Sequence, residues 1–183
     1  MKPELIKSWN NNTALIYKDV LIYSIAGICA SLFSIIPMMG WLEKLCNVLV
    51  IAGFAFFFVR IKNLAELSEG ADAEALKKLT VGILCYFLGK MLTNIPAAGF
   101  VLGPIATIVG FVFMFLAYNA LSKSATFPRP EGMKLLKIAL IIGIVGGVFS
   151  IIPIIKIVGG ILYIAEFVLI LLGWKKVAVP VAE

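Results

Sequence analysis

Six long apolar runs, separated by prolines or short polar segments, constrain this chain more than any other feature. Each is near the length of about 17–25 residues that an α-helix needs to cross a bilayer. The fifth run has 15 residues, so Lys134 and Lys137 at its start would have to extend toward the interface. The pattern predicts an all-α, polytopic membrane bundle of six transmembrane helices. The predicted spans are 20–36, 41–59, 79–95, 100–121, 138–152 and 154–174.

The composition supports a membrane protein. Of 183 residues, 62% are hydrophobic and 14% are charged, and the mean hydropathy is +1.06. Soluble domains have roughly 45–50% apolar and about 25% charged residues. A soluble fold of this size has too little interior to bury so many apolar side chains. We therefore expect one membrane domain over 1–183, embedded in a lipid bilayer.

A proline separates the two members of each pair of runs. Pro37, Pro96 and Pro153 are the last residues of the related segments SIIP, TNIP and SIIP. The prolines are 59 and 57 residues apart. Proline disfavours helical geometry in the residue before it and removes a backbone donor, so each marks a tight turn. The sequence therefore predicts three pseudo-repeated hairpins with proline tips. Their ranges are 17–62, 73–121 and 134–176.

Small residues recur at positions that favour close helix packing. Ala30, Gly89 and Gly146 each stand seven residues before a tip proline. Three pairs are spaced as small-xxx-small motifs, which allow helix backbones to approach each other in membranes. These pairs are Ala26 with Ala30, Gly99 with Gly103, and Gly143 with Gly147. The sequence leaves open whether these contacts form within one chain or between copies.

Basic residues predict the orientation. Of 16 Lys and Arg residues, 13 lie at the termini or in the two longer connections, and Lys44, Lys90 and Lys156 lie near the tips. The positive-inside rule then predicts both termini in the cytoplasm and an inner-membrane location. Hairpins that enter one leaflet and return would give the same bias, and the lengths of the runs favour full spanning.

Glu166 is the most informative single residue, because an intramembrane carboxylate is costly and usually functional. The spacing allows Lys137 to meet it as an ion pair, or Tyr163, three positions earlier, to hold it as a buried carboxyl. The alternative is a site that handles a proton or a cation. Lys90, near the second tip, either lines the outer mouth of such a pathway or extends to the lipid headgroups.

Aromatic residues cluster in the second and fourth runs, and we expect them to face lipid. The alternative is a ligand cage, which their spacing does not require. Trp9, Trp41 and Trp174 lie near predicted interfaces, where tryptophan commonly anchors membrane helices. The clustered residues are Phe54, Phe56, Phe57, Phe58, Phe111, Phe113, Phe115 and Tyr118.

The chain contains no histidine, the commonest general base and metal ligand. Cys29, Cys46 and Cys85 form no CxxC pair, and we expect buried free thiols. No nucleotide-binding glycine loop is present, and topology explains the net charge of +6 without nucleic acid. We therefore expect no enzyme, no cofactor, no metal and no nucleic-acid partner.

Two hypotheses of function follow from the sequence. The first is an oligomeric channel, pore or membrane scaffold, which predicts a homo-oligomer and leaves a further membrane or cytoplasmic protein partner open. The second is a small-molecule transporter, or the membrane substrate-binding subunit of one, with a polar site around Glu166. Membrane substrate-binding subunits of energy-coupling importers are similar in size and span count, although a threefold hairpin repeat is not expected of them.

Overall fold

The computed structural model describes residues 3–36, 38–92 and 98–181, and all regular structure in this part of the chain is helical. The helices are α1 (Pro3–Ile35), α2 (Gly40–Glu66), α3 (Gly70–Leu92), α4 (Ala98–Lys123), α5 (Pro130–Ile151) and α6 (Lys156–Val177). A short 3₁₀ turn, Pro153–Ile155, joins α5 to α6. The protein is a helical membrane bundle, as the sequence predicts.

Most helices are both long enough and apolar enough to span a bilayer. Within the described ranges, α1, α2, α4, α5 and α6 qualify by length and composition. The remaining helix, α3, has 23 residues and carries Lys77, Lys78 and Lys90. The third predicted span, 79–95, continues beyond the described residues. The short fifth run belongs to a helix of 22 residues, because α5 begins at Pro130, ahead of both lysines.

Helices that are consecutive in the chain pack side by side, most extensively within the pairs α1–α2, α3–α4 and α5–α6. The predicted hairpins are therefore present. Pro153 opens the turn of the third hairpin, whereas Pro37 and Pro96 lie outside the described residues. We call the end of the bundle with these turns the tip end, and the opposite end, with both termini, the terminal end.

The hairpins form a closed ring. Among the described residues, α2 packs beside α3, α4 beside α5, and α6 returns to pack beside α1. In this part of the chain only side chains meet across the interior, as Phe57 of α2 and Trp174 of α6 do. A ring of six helices encloses a central space that side chains must fill or leave open. How this space is filled differs between the two ends of the bundle.

Buried apolar side chains fill the interior of the terminal half of the ring. Each helix contributes a fully buried apolar side chain to its interior, and these are Ile16, Leu64, Leu76, Leu121, Met133 and Val177. Burying a side chain of this size stabilises the fold by about 1.5–3 kcal/mol. The buried core therefore lies between the cavity described below and the terminal end.

Polar contacts tie the two chain ends together at the terminal end. The Asn10 amide donates to the Val181 carbonyl (3.1 Å), and the Val181 N–H donates to Asn10 Oδ1 (2.9 Å). The Thr126 hydroxyl donates to Asp72 Oδ2 (2.6 Å), joining the α4–α5 connection to the start of α3. These bonds place both termini on one side of the bundle.

Two tryptophans occupy different positions from those predicted. Trp9 and Trp174 are 2% and 0% exposed and belong to the core, so the prediction of interfacial anchors was wrong for them. Trp9 packs edge-on against Phe127, and Trp174 against Phe57. Trp41 is 67% exposed, as an anchor requires. The two buried residues lie near the ends of their helices because the core itself extends to the terminal end.

Candidate functional site

A cavity of about 630 Å³ occupies the centre of the ring. All six helices contribute to its wall. Ligand pockets in proteins commonly have volumes of about 300–1,000 Å³, so this space is large enough for a small molecule. The cavity lies toward the tip end from the solid core, and Phe57 and Ile83 in its lining are also core residues.

Glu166 lies in the wall of this cavity. It lies about 15 Å along the helix axis from the first residue of α6. Its side chain is half-buried, and no hydrogen bond or ion pair joins it to any described residue. Placing a carboxylate at this depth without a hydrogen bond or an ion pair costs free energy. Its free oxygens can bind a ligand, a proton or water.

A glycine on the neighbouring helix leaves the space that this carboxylate occupies. Gly143 of α5 faces Glu166, and a Cβ atom at Gly143 would collide with the carboxylate oxygens. One helical turn further toward the tip, the Tyr163 hydroxyl lies 3.2 Å from the position that a Cβ atom at Gly147 would take. The glycine pair therefore accommodates two polar side chains of α6.

Aromatic side chains form most of the remaining wall. The Tyr23 ring contacts the rings of Phe54, Phe57 and Phe167 at centroid distances of 6.1, 5.9 and 6.3 Å. The Phe54 ring also contacts Tyr86 at 6.3 Å. The aromatic lining residues are Tyr23, Phe54, Phe57, Tyr86, Phe87, Tyr118, Tyr163 and Phe167. The wall thus presents π-faces and phenolic hydroxyls around the Glu166 carboxylate.

Polar and exposed side chains mark the opening of the cavity. Glu43 and Asn47 of α2 and Lys90 of α3 line the cavity close to the tip end, and Asn47 and Lys90 are exposed. The Lys90 Nζ lies 5.5 Å from the centroid of the Tyr86 ring. Its positive charge also acts on Glu166. We infer from these exposed lining residues that the cavity opens near the tip end, between α2 and α3.

Corresponding positions of two hairpins line the cavity. Asn47, Val50, Ile51 and Phe54 stand 10, 13, 14 and 17 residues after Pro37. The residues at these distances after Pro153 also line it, and they are Tyr163, Glu166, Phe167 and Ile170. The predicted internal repeat agrees with this arrangement and stays a prediction. At the position of Glu166 the first hairpin has Val50 and the second has Val109, so the carboxylate is specific to the third hairpin.

The structure brings together three of the four predicted site residues. Glu166, Tyr163 and Lys90 line the cavity, whereas Lys137 does not. The Lys137 Nζ donates to Asn119 Oδ1 of α4 at 3.2 Å. The predicted ion pair between Lys137 and Glu166 is therefore absent from the described residues. Lys137 lies closer to the terminal end than Glu166 and faces the neighbouring hairpin.

The predicted packing residues meet within hairpins. A Cβ atom at Gly89 of α3 would lie 2.8 Å from the Gly103 carbonyl oxygen of α4. A Cβ atom at Gly146 would lie 3.1 Å from Leu162 Cβ of α6. Ala30 is buried and lines the cavity, and the side-chain surroundings of Gly99 are not described. Gly89, Gly103 and Gly146 therefore form close contacts between the two helices of one hairpin.

Sequence reasoning missed most of the aromatic wall. Phe54, Phe57 and Tyr118 were expected to face lipid and instead line the cavity, whereas Phe56 is 62% exposed. Tyr23 and Tyr86 drew no prediction. A run that is apolar on all sides carries no periodic signal that distinguishes its lipid face from its inner face.

The described residues do not form a cluster of metal ligands. They contain no group of three or more Cys, Asp or Glu side chains that could hold a metal ion, and Cys29, Cys46 and Cys85 are free and half-buried.

Comparison with models of known protein families, with characterised proteins and with solved structures finds no match for this chain.

Proposed function

We propose that this protein is a small-molecule transporter, or the membrane substrate-binding subunit of one, and that its ligand binds in the central cavity. The observation that carries the proposal is the Glu166 carboxylate, which lies in the cavity wall without a bonded partner among the described residues. Binding sites in membrane bundles commonly combine an apolar cavity with one or two intramembrane polar groups.

The shape of the cavity supports access from one side at a time. The opening is at the tip end, and the core at the terminal end includes the fully buried Leu64, Leu76 and Trp174. With the termini in the cytoplasm, as the positive-inside rule predicts, this conformation would be open to the outside. We propose that it is the ligand-accepting state at the cytoplasmic membrane.

The channel or scaffold hypothesis is the alternative. Small-residue packing faces were one part of its support, beside the short loops, the hairpin repeat and the lack of catalytic groups. Gly89 and Gly103 meet within the second hairpin, and Gly143 and Gly146 pack against α6 within the third. These glycines are therefore used inside one chain, and a homo-oligomer remains a separate prediction.

We also propose that the protein is not an enzyme. The two carboxylates among the described lining residues, Glu43 and Glu166, lie at different depths. With tyrosine and phenylalanine side chains around them, they lack the paired nucleophile and base that most hydrolytic or transfer reactions use. The chain has no histidine to serve as that base. Binding alone accounts for the residues that line the cavity.

Native mass spectrometry of the purified protein tests the proposal. Wild type, Glu166→Gln and Glu74→Gln would be expressed and purified identically, because Glu74 is exposed on α3 and serves as a matched control. We expect small-molecule adducts on wild type and Glu74→Gln that are lost from Glu166→Gln.

A second variant keeps the test independent of Glu166. Val50→Trp fills the cavity from α2 while leaving the carboxylate in place, and we expect it to lose the same adducts. Adduct patterns that do not differ between wild type and both cavity variants would contradict the proposal.

A further inference from the structure

Charged side chains in the cavity wall are few and unevenly placed. Among the described residues they are Glu43, Lys90 and Glu166, so this part of the wall carries one more negative than positive charge when all three are ionised. Lys90 and Glu43 lie near the opening, and Glu166 lies deeper. Glu166 is therefore the deepest charged group among these residues. A ligand in the interior of the cavity lies next to its negative charge.

The aromatic wall favours positive charge as well. The face of an aromatic ring has a negative electrostatic potential and attracts ammonium groups within about 6 Å of its centroid. Tyr23, Phe54 and Tyr86 form a continuous part of this wall. Tyrosine hydroxyls can also donate to a carboxylate or accept from an ammonium group.

The structure itself shows this wall holding a cation. The Lys90 ammonium group lies over the Tyr86 ring at 5.5 Å, and its charge attracts Glu166. Lys90 is exposed at the opening and has a long flexible side chain. The place it occupies suits another ammonium group of similar charge.

The rest of the wall is apolar and adaptable. Met91 and Met114 line the cavity with flexible thioether side chains, and Leu140 and Ile170 add aliphatic surface. A small inorganic ion would leave this surface without a partner, whereas an apolar body of moderate size would cover it. Among the described lining residues there is no arginine, and Lys90 is the one basic side chain, which disfavours an anion.

We propose that the ligand is an amphipathic organic cation, whose ammonium group lies between Glu166 and the Tyr86 ring and whose apolar body covers the aromatic wall. Lys90 acts as an internal competitor that the ligand displaces from the Tyr86 face. This inference rests on the proposed function and names its substrate class.

Isothermal titration calorimetry on the full chain in lipid nanodiscs tests the proposal. The probes are benzyltrimethylammonium and neopentylbenzene, which has the same shape without the charge. We expect the cation to bind and the neutral isostere to bind at least about tenfold more weakly. Glu166→Gln should weaken binding of the cation by at least about tenfold, because a desolvated charge pair is lost. Glu166→Asp should retain part of it.

Variants at the mouth separate the ring from the charge. Tyr86→Phe keeps the aromatic face and should bind within about twofold of wild type, whereas Tyr86→Leu should lose about two- to thirtyfold. Lys90→Met removes the competing ammonium group and should tighten binding several-fold. Lys134→Met, far from the cavity at the start of α5, is the matched control and should change nothing.

The location of binding is checked with one cysteine. Asn47→Cys, in a background with the three native cysteines replaced, places a thiol at the exposed edge of the cavity. Both probes are then tested for protection of this thiol from alkylation. Protection by the cation alone supports the proposal.

The remaining outcomes are distinct. Equal protection by the neutral isostere, or tighter binding in Glu166→Gln, overturns the cation inference while leaving a ligand-binding cavity. No protection by either probe, together with no adduct difference in the mass spectra above, overturns the proposed function as well.

Discussion

Gly143 of α5 lies directly against the Glu166 carboxylate of α6, so that any side chain at Gly143 would occupy the space of the carboxylate oxygens. The two residues belong to one hairpin and face each other across its interface. A glycine that fits a small-xxx-small packing motif thus also provides the space that the Glu166 carboxylate occupies. Helix packing and the candidate site depend on the same position.

Gly143→Ala should therefore displace the carboxylate and destabilise the third hairpin. Overpacking of a well-packed interface typically costs about 1–3 kcal/mol. We expect a lower thermal midpoint in detergent and the same loss of adducts as in Glu166→Gln. Thermal unfolding followed by circular dichroism measures the first effect, and native mass spectrometry the second.

A double-mutant cycle checks the cause. In a Glu166→Ala background the oxygens that the new Cβ meets are gone, so Gly143→Ala should cost clearly less there. Gly40→Ala is the control, because the space around Gly40 is open. Equal costs in both backgrounds would show that Gly143 and Glu166 do not interact.

The contact between Asp72 and Thr126 should stabilise the terminal end. It joins α3 to the connection between α4 and α5 by a charge-assisted bond of 2.6 Å, and Asp72 is buried. Asp72→Asn and Thr126→Val should each lower the free energy of unfolding by about 1–3 kcal/mol. Chemical denaturation in detergent measures the change.

The exposed Glu74, two residues from Asp72, provides the control for this pair. Glu74→Gln should change stability by less than about 0.5 kcal/mol. The double variant should cost less than the sum of the two single variants. Strict additivity would mean that the bond contributes nothing to folding.

The Asn10 side chain should hold the segment after α6 in place. Its amide both donates to and accepts from the Val181 backbone. Asn10→Ala removes both bonds, and we expect faster hydrogen exchange at residues 178–181. Exchange measured by mass spectrometry on Asn11→Ala, whose side chain is exposed, should match wild type. Unchanged exchange in Asn10→Ala would show that the segment is held by other contacts.

The orientation of the bundle can be read from single cysteines. Met38 and Ile154 are 97% and 92% exposed near the tips, and Ala125 is exposed at the terminal end. In a background without native cysteines, we expect an impermeant maleimide to label Met38→Cys and Ile154→Cys in intact cells. Ala125→Cys should react only after permeabilisation. The reverse pattern would place the termini outside, and no labelling of either tip would favour re-entrant hairpins.

The architecture followed from the sequence because lipid imposes simple rules. Apolar length predicts spans, and Pro153 marks a turn that the structure contains. Glu166 was identifiable for the same reason, since an ionisable residue inside an apolar run is rare. These features require only local information along the chain.

The wall of the cavity required information that a single sequence lacks. Phe56 and Phe57 are adjacent, yet one is exposed and the other buried, and lipid and protein interior are equally apolar surroundings for them. Lys137 illustrates the same limit. Its distance along α5 allowed a contact with Glu166, but the rotation of α5 in the ring directs it to Asn119 instead. Helix rotation is determined by packing between hairpins.

Ring closure by α1 and α6 also sets the order of events during biogenesis. Chains are synthesised from the N-terminus, so α6 follows the five other helices into the membrane and carries Glu166 with it. Until then the groove at Gly27, which Phe167 occupies in the finished ring, is open to lipid or to a chaperone. A nascent chain that ends before α6 therefore lacks Tyr163, Glu166 and Phe167, which α6 contributes to the cavity wall.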